Sequence, residues 1–424
     1  MTVLTNISQL ATCPPDRPQT DAGIITDAAI AIRDGMIEWC GPALALPEAY
    51  QDDAFRDCEQ KLVIPGLVDC HTHLAFGGWR GDEFEMRLAG ASYQEIAAAG
   101  GGIASTVAAT RNAGIDELVD KSGKALDGML KLGVTTVEAK SGYGLTEADE
   151  IKQLETYRLL NAHHVIDIVP TFLGAHIIPP EYSENREEYV DLLCNTLIPR
   201  VAAEGLAEFC DAFVEQGAYT VDEARRIFRS AKDAGLGIKL HADQLSDGGG
   251  GALAAEFGAV SAEHLEYVSD KGISEMAAAA TVAVSLPLAS LYLGEKFIAA
   301  RKFIDAGVPV AVATDFNPGS APSWHLPLAM TLACINQRMT PQESLTGATT
   351  AAARAISRHE HIGSILPGYQ ADLAIIDTPN LNHWRNHFTP NACLAVMKEG
   401  EWVSNTLQEL LKRRKMVGAV FAVG

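Results

Sequence analysis

The stretch Val63-Ile-Pro-Gly-Leu-Val-Asp-Cys-His-Thr-His73 decides how the rest of the chain is read. An apolar run of strand character ends in two histidines spaced i, i+2, and on a β-strand that spacing turns both imidazoles to one face. His71 and His73 are therefore placed to grip a single cation. Zinc and similar ions favour imidazole nitrogen, and a site with an open position activates water. Strict alternation turns Cys70, between Asp69 and His71, to the opposite face. A lone His-x-His also occurs without metal, so its weight depends on polar residues farther along the chain.

Short β-branched, apolar runs recur at 62–70, 134–139, 165–172, 207–214, 237–240, 259–262, 281–286 and 308–313. Alanine-rich amphipathic stretches such as 116–132, 221–234 and 295–306 lie between them, with Gly133, Gly235 and Gly307 where those helices should stop. This β–α alternation predicts a (β/α)8 TIM-type barrel. The rival, a doubly wound open sheet, usually carries Gly-x-Gly-x-x-Gly after its first strand, and none stands there. The flanks read differently. Residues 1–62 include Ile30 to Trp39, whose Asp34-Gly35 between β-type runs reads as a hairpin. Residues 361–424 include the β-like, turn-rich run from Gly363 to Asp377. Together the flanks predict a small composite β-sandwich domain around a barrel of residues 63–360.

Polar groups fall on this rhythm. His241 closes the fifth run, His264 follows the sixth and Asp315 follows the eighth. With His71 and His73 they all lie at C-terminal strand ends, the face where barrel active sites are built. One buried histidine behind an apolar strand is most simply a hydrogen-bonded core residue. The same placement repeated on several strands points to a site: three imidazoles and a carboxylate for one metal, and a spare histidine. His176, just past the third run, lies on the same face and reads equally as site or core. His359-x-His361 follows the helical run 349–357, His383 and His387 lie in a loop-like segment without an adjacent glutamate, and His163-His164 are adjacent. These read as solvated or packing histidines.

The connection after the first strand, 74–132, is long and contains Phe76-Gly-Gly-Trp-Arg80, whose glycines permit close backbone approach or a hinge. Arg80 could clamp a carboxylate bidentately or pair with Asp82 or Glu83. Gly100-Gly-Gly-Ile103 lacks a following Gly-Lys-Ser/Thr and reads as a turn before a helix.

At 424 residues and 47% hydrophobic content the chain can bury a large core. A formal charge of −21 with no basic run argues against nucleic acid or an anionic membrane as partner. An anionic substrate would need a local cationic anchor. Eight scattered cysteines read as reduced and cytoplasmic, and the N-terminus shows no basic-then-apolar signal. The longest apolar stretch, 276–293, is interrupted by Thr281, Ser285, Pro287 and Ser290, and reads as a helix entering a buried strand.

In their order, His71-x-His73, His241, His264 and Asp315 resemble the amidohydrolase superfamily. The chain is similar to its imidazolonepropionase family over essentially its whole length. The motifs that carry this are Phe76–Arg80, Glu83–Tyr93, Lys140-Ser-Gly-Tyr143-Gly-Leu, Leu173-Gly-Ala-His176, His241-Ala-Asp-Gln244 and Thr314-Asp-Phe-Asn317-Pro-Gly319-Ser320. The resemblance implies one divalent metal, zinc or iron, held by His71, His73, His241 and Asp315. It implies substrate or product contacts by Arg80, Tyr143, His176, Gln244, Asn317, Gly319 and Ser320, and a tendency to form homodimers. The implied reaction converts 4-imidazolone-5-propanoate and water to N-formimidoyl-L-glutamate, with Arg80 on the propionate. Asp315 can then orient the water and take its proton, while His264 serves as proton shuttle or oxyanion partner.

Some members of the family carry glutamate where this chain has Gln244. Glutamine is no base at neutral pH, so the role moves to Asp315 with His264 and Gln244 becomes a positioning residue. Binuclear relatives use a modified lysine at the end of the fourth strand; here Asp211–Glu215 holds none, which favours one metal. A cytosine- or guanine-type deaminase would share the metal set without calling for Arg80, Tyr143 and His176 together. A non-catalytic scaffold would have lost ligands.

Overall fold

Strands from both ends of the chain make one sheet, and strands from its middle make another. The computed structural model describes residues 1–51, 53–91, Glu95 and 100–405; Tyr93 and 406–424, part of the expected second flank, lie outside the described residues. The first sheet holds β1 (Thr2–Ala11), β2 (Ile24–Arg33), β3 (Met36–Pro42), β4 (Ala54–Pro65), β13 (Leu373–Ile376), β14 (Cys393–Lys398) and β15 (Glu401–Asn405). Its order is β15-β14-β13-β4-β1-β2-β3. Every neighbouring pair is antiparallel except β1 with β4. Asp34 (φ 49°) and Gly35 (φ 79°) close the β2–β3 hairpin, the two left-handed residues that a tight primed turn demands.

The second sheet is parallel and runs in chain order through β5 (Leu67–Thr72), β6 (Val134–Lys140), β7 (Asp167–Ala175), β8 (Phe209–Val214), β9 (Gly237–Ala242), β10 (Ser261–His264), β11 (Val282–Ser285) and β12 (Val310–Val312). It is the expected barrel. The last step of the ring is made just past β12, where Asp315 N donates to His71 O (3.1 Å) and His73 N to Phe316 O (2.9 Å). Asp69 secures the same junction by accepting from Thr314 N (3.0 Å) and Thr314 Oγ1 (2.6 Å). The backbones that close the barrel thus include those of three candidate ligands, His71, His73 and Asp315.

Four details depart from expectation. The run 62–70 is two strands. Pro65 cannot donate to a ladder, so the chain leaves the first sheet there and enters the barrel at Leu67. A β-irregularity between Asp69 and Thr72 breaks strict alternation. Cys70 is fully buried. The stretch 295–306 is helical only over Ala300–Asp305, because Glu295 N bonds back to Ser290 O to finish the preceding helix and the buried Ile298 turns the chain, its carbonyl accepting from Ala300 N at 2.9 Å. The segment around His383 and His387 is not loop but a short helix, Leu381–Asn386, capped by Asn380, which accepts from His383 N (2.9 Å).

The long connection after β5 carries α1 (Gly81–Leu88), α2 (Ile103–Asn112) and α3 (Ile115–Leu130). Successive residues of β4 and β13 serve two cores. Leu62, Ile64, Ala374 and Ile376 join the barrel's apolar cluster, while Val63, Leu373 and Ile375 join a separate cluster with Leu4, Ile30 and Met397. Among the described residues no helix is long and apolar enough to cross a membrane.

Candidate active site

Each expected polar group sits at the C-terminal mouth of the barrel. His71 lies in β5 and His73 just beyond it, His241 in β9, His264 at the end of β10, and Asp315 past β12. All five are buried. His71 Nε2 and His73 Nε2 each lie 3.4 Å from Asp315 Oδ1, and His73 Nε2 lies 3.4 Å from His241 Nε2. A tetrahedral zinc with nitrogen and oxygen ligands at about 2.0–2.1 Å has ligand–ligand edges of about 3.4 Å, so these donors fit such an ion. Burial pushes His71 and His73 well below the ordinary imidazole range, leaving neutral rings with lone pairs. His71 Nε2, which faces Asp315 Oδ1, has no hydrogen-bond partner, as fits a nitrogen that turns its lone pair toward a cation. His264 stands closer than a bystander: its donor atom lies within 4.8 Å of those of His71 and His241. Burial, opposed by Asp315, pushes its imidazole down to about 3.

The supports of these groups were only partly visible in sequence. Asp211 Oδ2 lies 2.9 Å from both His241 Nδ1 and Lys140 Nζ, and Asp211 Oδ1 accepts from His241 N at 3.1 Å. It therefore fixes the ring so that Nε2 faces the donors, as a ligand's outer partner does. Burial alone would raise the Asp211 carboxyl, but His241 and Lys140 hold it well below the usual carboxylate range. Lys140 also bonds Glu138 Oε1 (2.7 Å), and both are fully buried beneath the site. The signal for Asp211 and Glu138 was a carboxylate inside an apolar strand, which needs a partner wherever it is buried. Glu266 Oε2, 3.8 Å from His264 Nδ1, was not singled out at all.

A cavity of about 430 Å³ opens over the donors. His73, His241, His264, Asp315, Arg80, Tyr143, His176, Gln244, Asn317, Gly319 and Ser320 all line it. His176 stacks on His73 (ring centroids 5.3 Å apart) and its Nδ1 lies 2.9 Å from Gly142 O, which puts the ring proton on Nδ1 and leaves Nε2 as acceptor. Tyr143 lies 5.3 Å from the His176 ring, and burial pushes its phenol up, so it is a donor at neutral pH. Arg80 pairs with neither Asp82 nor Glu83; its Nε donates to Thr106 Oγ1 (2.8 Å), and Glu83 instead accepts from Gly102 N and Ser105 Oγ. Asn317 uses its amide within its own loop, donating to Asp315 O (2.6 Å) and Ser320 Oγ (2.8 Å) and accepting from Gly319 N and Ser320 N. The Gln244 loop is held by Asp243, which accepts from Gly248, Gly250 and Gly251 N, and by Glu215, which accepts from Leu245 N. Among the described residues no metal-holding group includes His163, His164, His359, His361, His383 or His387.

Comparison with known proteins identifies the family. The amidohydrolase family model matches residues 62–403. The imidazolonepropionase of Symbiobacterium thermophilum is 48% identical over 388 residues, covering 90% of this chain and 91% of that protein. That of Geobacillus kaustophilus is 47% identical, covering 91% and 92%. That of Streptococcus sanguinis is 44% identical, covering 95% and 97%. Among solved structures, a zinc-bound adenosine deaminase from Xanthomonas campestris superposes with a TM-score of 0.70 at 18% identity, over 96% of this chain and 93% of its own. A zinc complex of atrazine chlorohydrolase from Arthrobacter aurescens TC1 gives 0.71 at 15%, over 98% and 99%. At those identities the structures speak to the fold, and the sequence relatives speak to the family. The chain belongs to the amidohydrolase family and, within it, to the imidazolonepropionases.

Proposed function

We propose that this chain hydrolyses the ring C–N bond of 4-imidazolone-5-propanoate to give N-formimidoyl-L-glutamate in histidine degradation. It does so with one divalent metal, zinc or iron, held by His71, His73, His241 and Asp315. The observation that carries the reading is that His73, His241, His264 and Asp315 line one cavity with Arg80, which among the described residues has no carboxylate partner. When bound, such a metal supplies Lewis acidity and lowers the pKa of coordinated water from 15.7 to about 7.

The chain's own residues do the rest. Arg80 anchors the propionate through its guanidinium. Tyr143 donates a hydrogen bond to the ring and His176 Nε2 accepts one, so the ring carbonyl is presented to the water. Asp315 orients that water and takes its proton as the new C–O bond forms. His264, neutral at the outset, receives the proton and returns it to the ring nitrogen as the C–N bond breaks. Gln244, an amide, orients the substrate and relays no proton. Asn317 holds the loop that sets Asp315, with Gly319 and Ser320 in the same turn.

A single metal is favoured by the lack of a lysine at the end of β8 and by the Lys140 ammonium, which already pairs with both Glu138 and Asp211. The reading extends to a cytoplasmic homodimer, whose stoichiometry sedimentation equilibrium measures. The deciding experiment follows loss of imidazolone absorbance, with and without chelator, and identifies the product by mass. Chelator-sensitive formation of the formimidoyl product is expected. Ammonia released without ring opening would put a deaminase in its place.

A further inference from the structure

The guanidinium of Arg80 is held from two sides, and the manner of holding dictates how it can meet an anion. Its Nε donates to the hydroxyl of Thr106 at 2.8 Å, and Thr106 is only 2% exposed. On the other side lies Gly319: a Cβ there would stand 2.2 Å from Arg80 Nη1 and 2.8 Å from Cζ, so the guanidinium occupies the space that any larger residue would fill. The approach to Arg80 is fixed by the same helix. Thr110, one turn after Thr106 on α2, accepts from Gly77 N (2.9 Å) and donates to Thr106 O (2.8 Å). Gly77 lies against the α2 backbone, where a Cβ would meet the Ala109 carbonyl at 2.4 Å.

An arginine fork can grip a carboxylate side-on, through Nε and one Nη, or end-on, through both Nη groups. Thr106 occupies Nε and thereby leaves only the end-on grip. We infer that Thr106, with the bare backbone of Gly319 opposite, is a positioning residue for substrate selection: it fixes Arg80 for end-on, bidentate binding of a carboxylate tail, and so sets the preference for an anionic over a neutral side arm. This rests on the reading of Arg80 as the propionate anchor.

The test uses the metal-loaded full chain, 4-imidazolone-5-propanoate, and its propanamide analogue, in which the tail is uncharged. Thr106→Val keeps the shape of the side chain and removes the acceptor; Thr106→Ser keeps the acceptor. Thr106→Val is expected to raise KM for the acid about ten- to hundredfold, the range for a lost hydrogen bond to a charged group, with kcat within about twofold and KM for the amide unchanged. Thr106→Ser is expected to restore the wild-type KM, and Gly319→Ala to raise KM for the acid as Thr106→Val does. If Arg80→Gln raises KM for the acid while Thr106→Val does not, the inference about Thr106 fails and the anchor stands. If Arg80→Gln leaves KM for the acid unchanged, the anchor itself is wrong. A loss of kcat shared by Thr106→Val and Thr106→Ser would assign Thr106 to the fold instead.

Discussion

His264 and Asp315 hold left-handed backbone, with φ of 72° and 55°, a conformation that L-residues adopt at a cost and that clusters where a side chain must be aimed. The aim is the shared set of donors, and the proposed division of labour makes the two residues separable. His264→Ala should lower kcat by at least about a hundredfold, within the usual range for an acid–base group, while elemental analysis still finds one metal per site. Near-normal turnover would remove His264 from the proton path. Gln244→Glu should retain activity, since the amide it replaces relays no proton. Asp211 acts one step further out. Asp211→Asn should weaken metal binding about 10- to 100-fold in chelator competition, because the asparagine loses the charge that fixes His241 Nδ1.

At the scale of elements, the connection between β5 and α1 behaves as a mounted part. Gly77 is pinned to α2, and Lys121 of α3 bonds Gly78 O and lies 3.8 Å from the centre of the Phe76 ring and 4.6 Å from that of Trp79. Phe76 and Trp79 in turn pack on Phe316, the residue after Asp315, so the arm that carries Arg80 is seated on the loop that carries the carboxylate. Gly77→Ala would force α2 and the arm apart. A loss of about 1–3 kcal/mol in denaturant unfolding, the scale of an overpacking change, is expected together with a raised KM. Unchanged stability and KM would show that the arm does not need this close approach. Sequence placed glycines here and suggested approach or hinge; the carbonyl of Ala109 selects approach.

For the whole molecule, Lys398 joins the two sheets. From the end of β14 it reaches Asp372, just before β13, at 2.7 Å and Asp167, at the start of barrel strand β7, at 2.6 Å. Asp372 is 3% exposed, so Lys398→Met leaves a buried carboxylate without its cation. A loss on the order of 3–5 kcal/mol is expected, read as a lowered Tm, with KM of the surviving enzyme unchanged because the pair lies outside the cavity. A Tm equal to wild type would mean that Asp372 is satisfied without the lysine.

The sequence by itself determined the barrel and its active face, because strand runs, helix-stopping glycines and the histidines are local signals repeated along the chain. His71, His73, His241, His264 and Asp315 were legible for that reason, each at the end of its own run. Tertiary structure alone decided the partners of the buried charges. Asp211 faces His241 across two neighbouring strands, Thr106 reaches Arg80 from a different helix, and Asp69 meets Thr314 across 245 positions of sequence. No local pattern encodes such pairs; they arise when barrel closure brings distant strand ends within hydrogen-bonding distance. The break at Pro65-Gly66 likewise shows only in the fold, where a run that reads as one strand is divided between two sheets. His71-Thr-His73 announces a metal, and the folded neighbours of Arg80 determine what the site is shaped to hold.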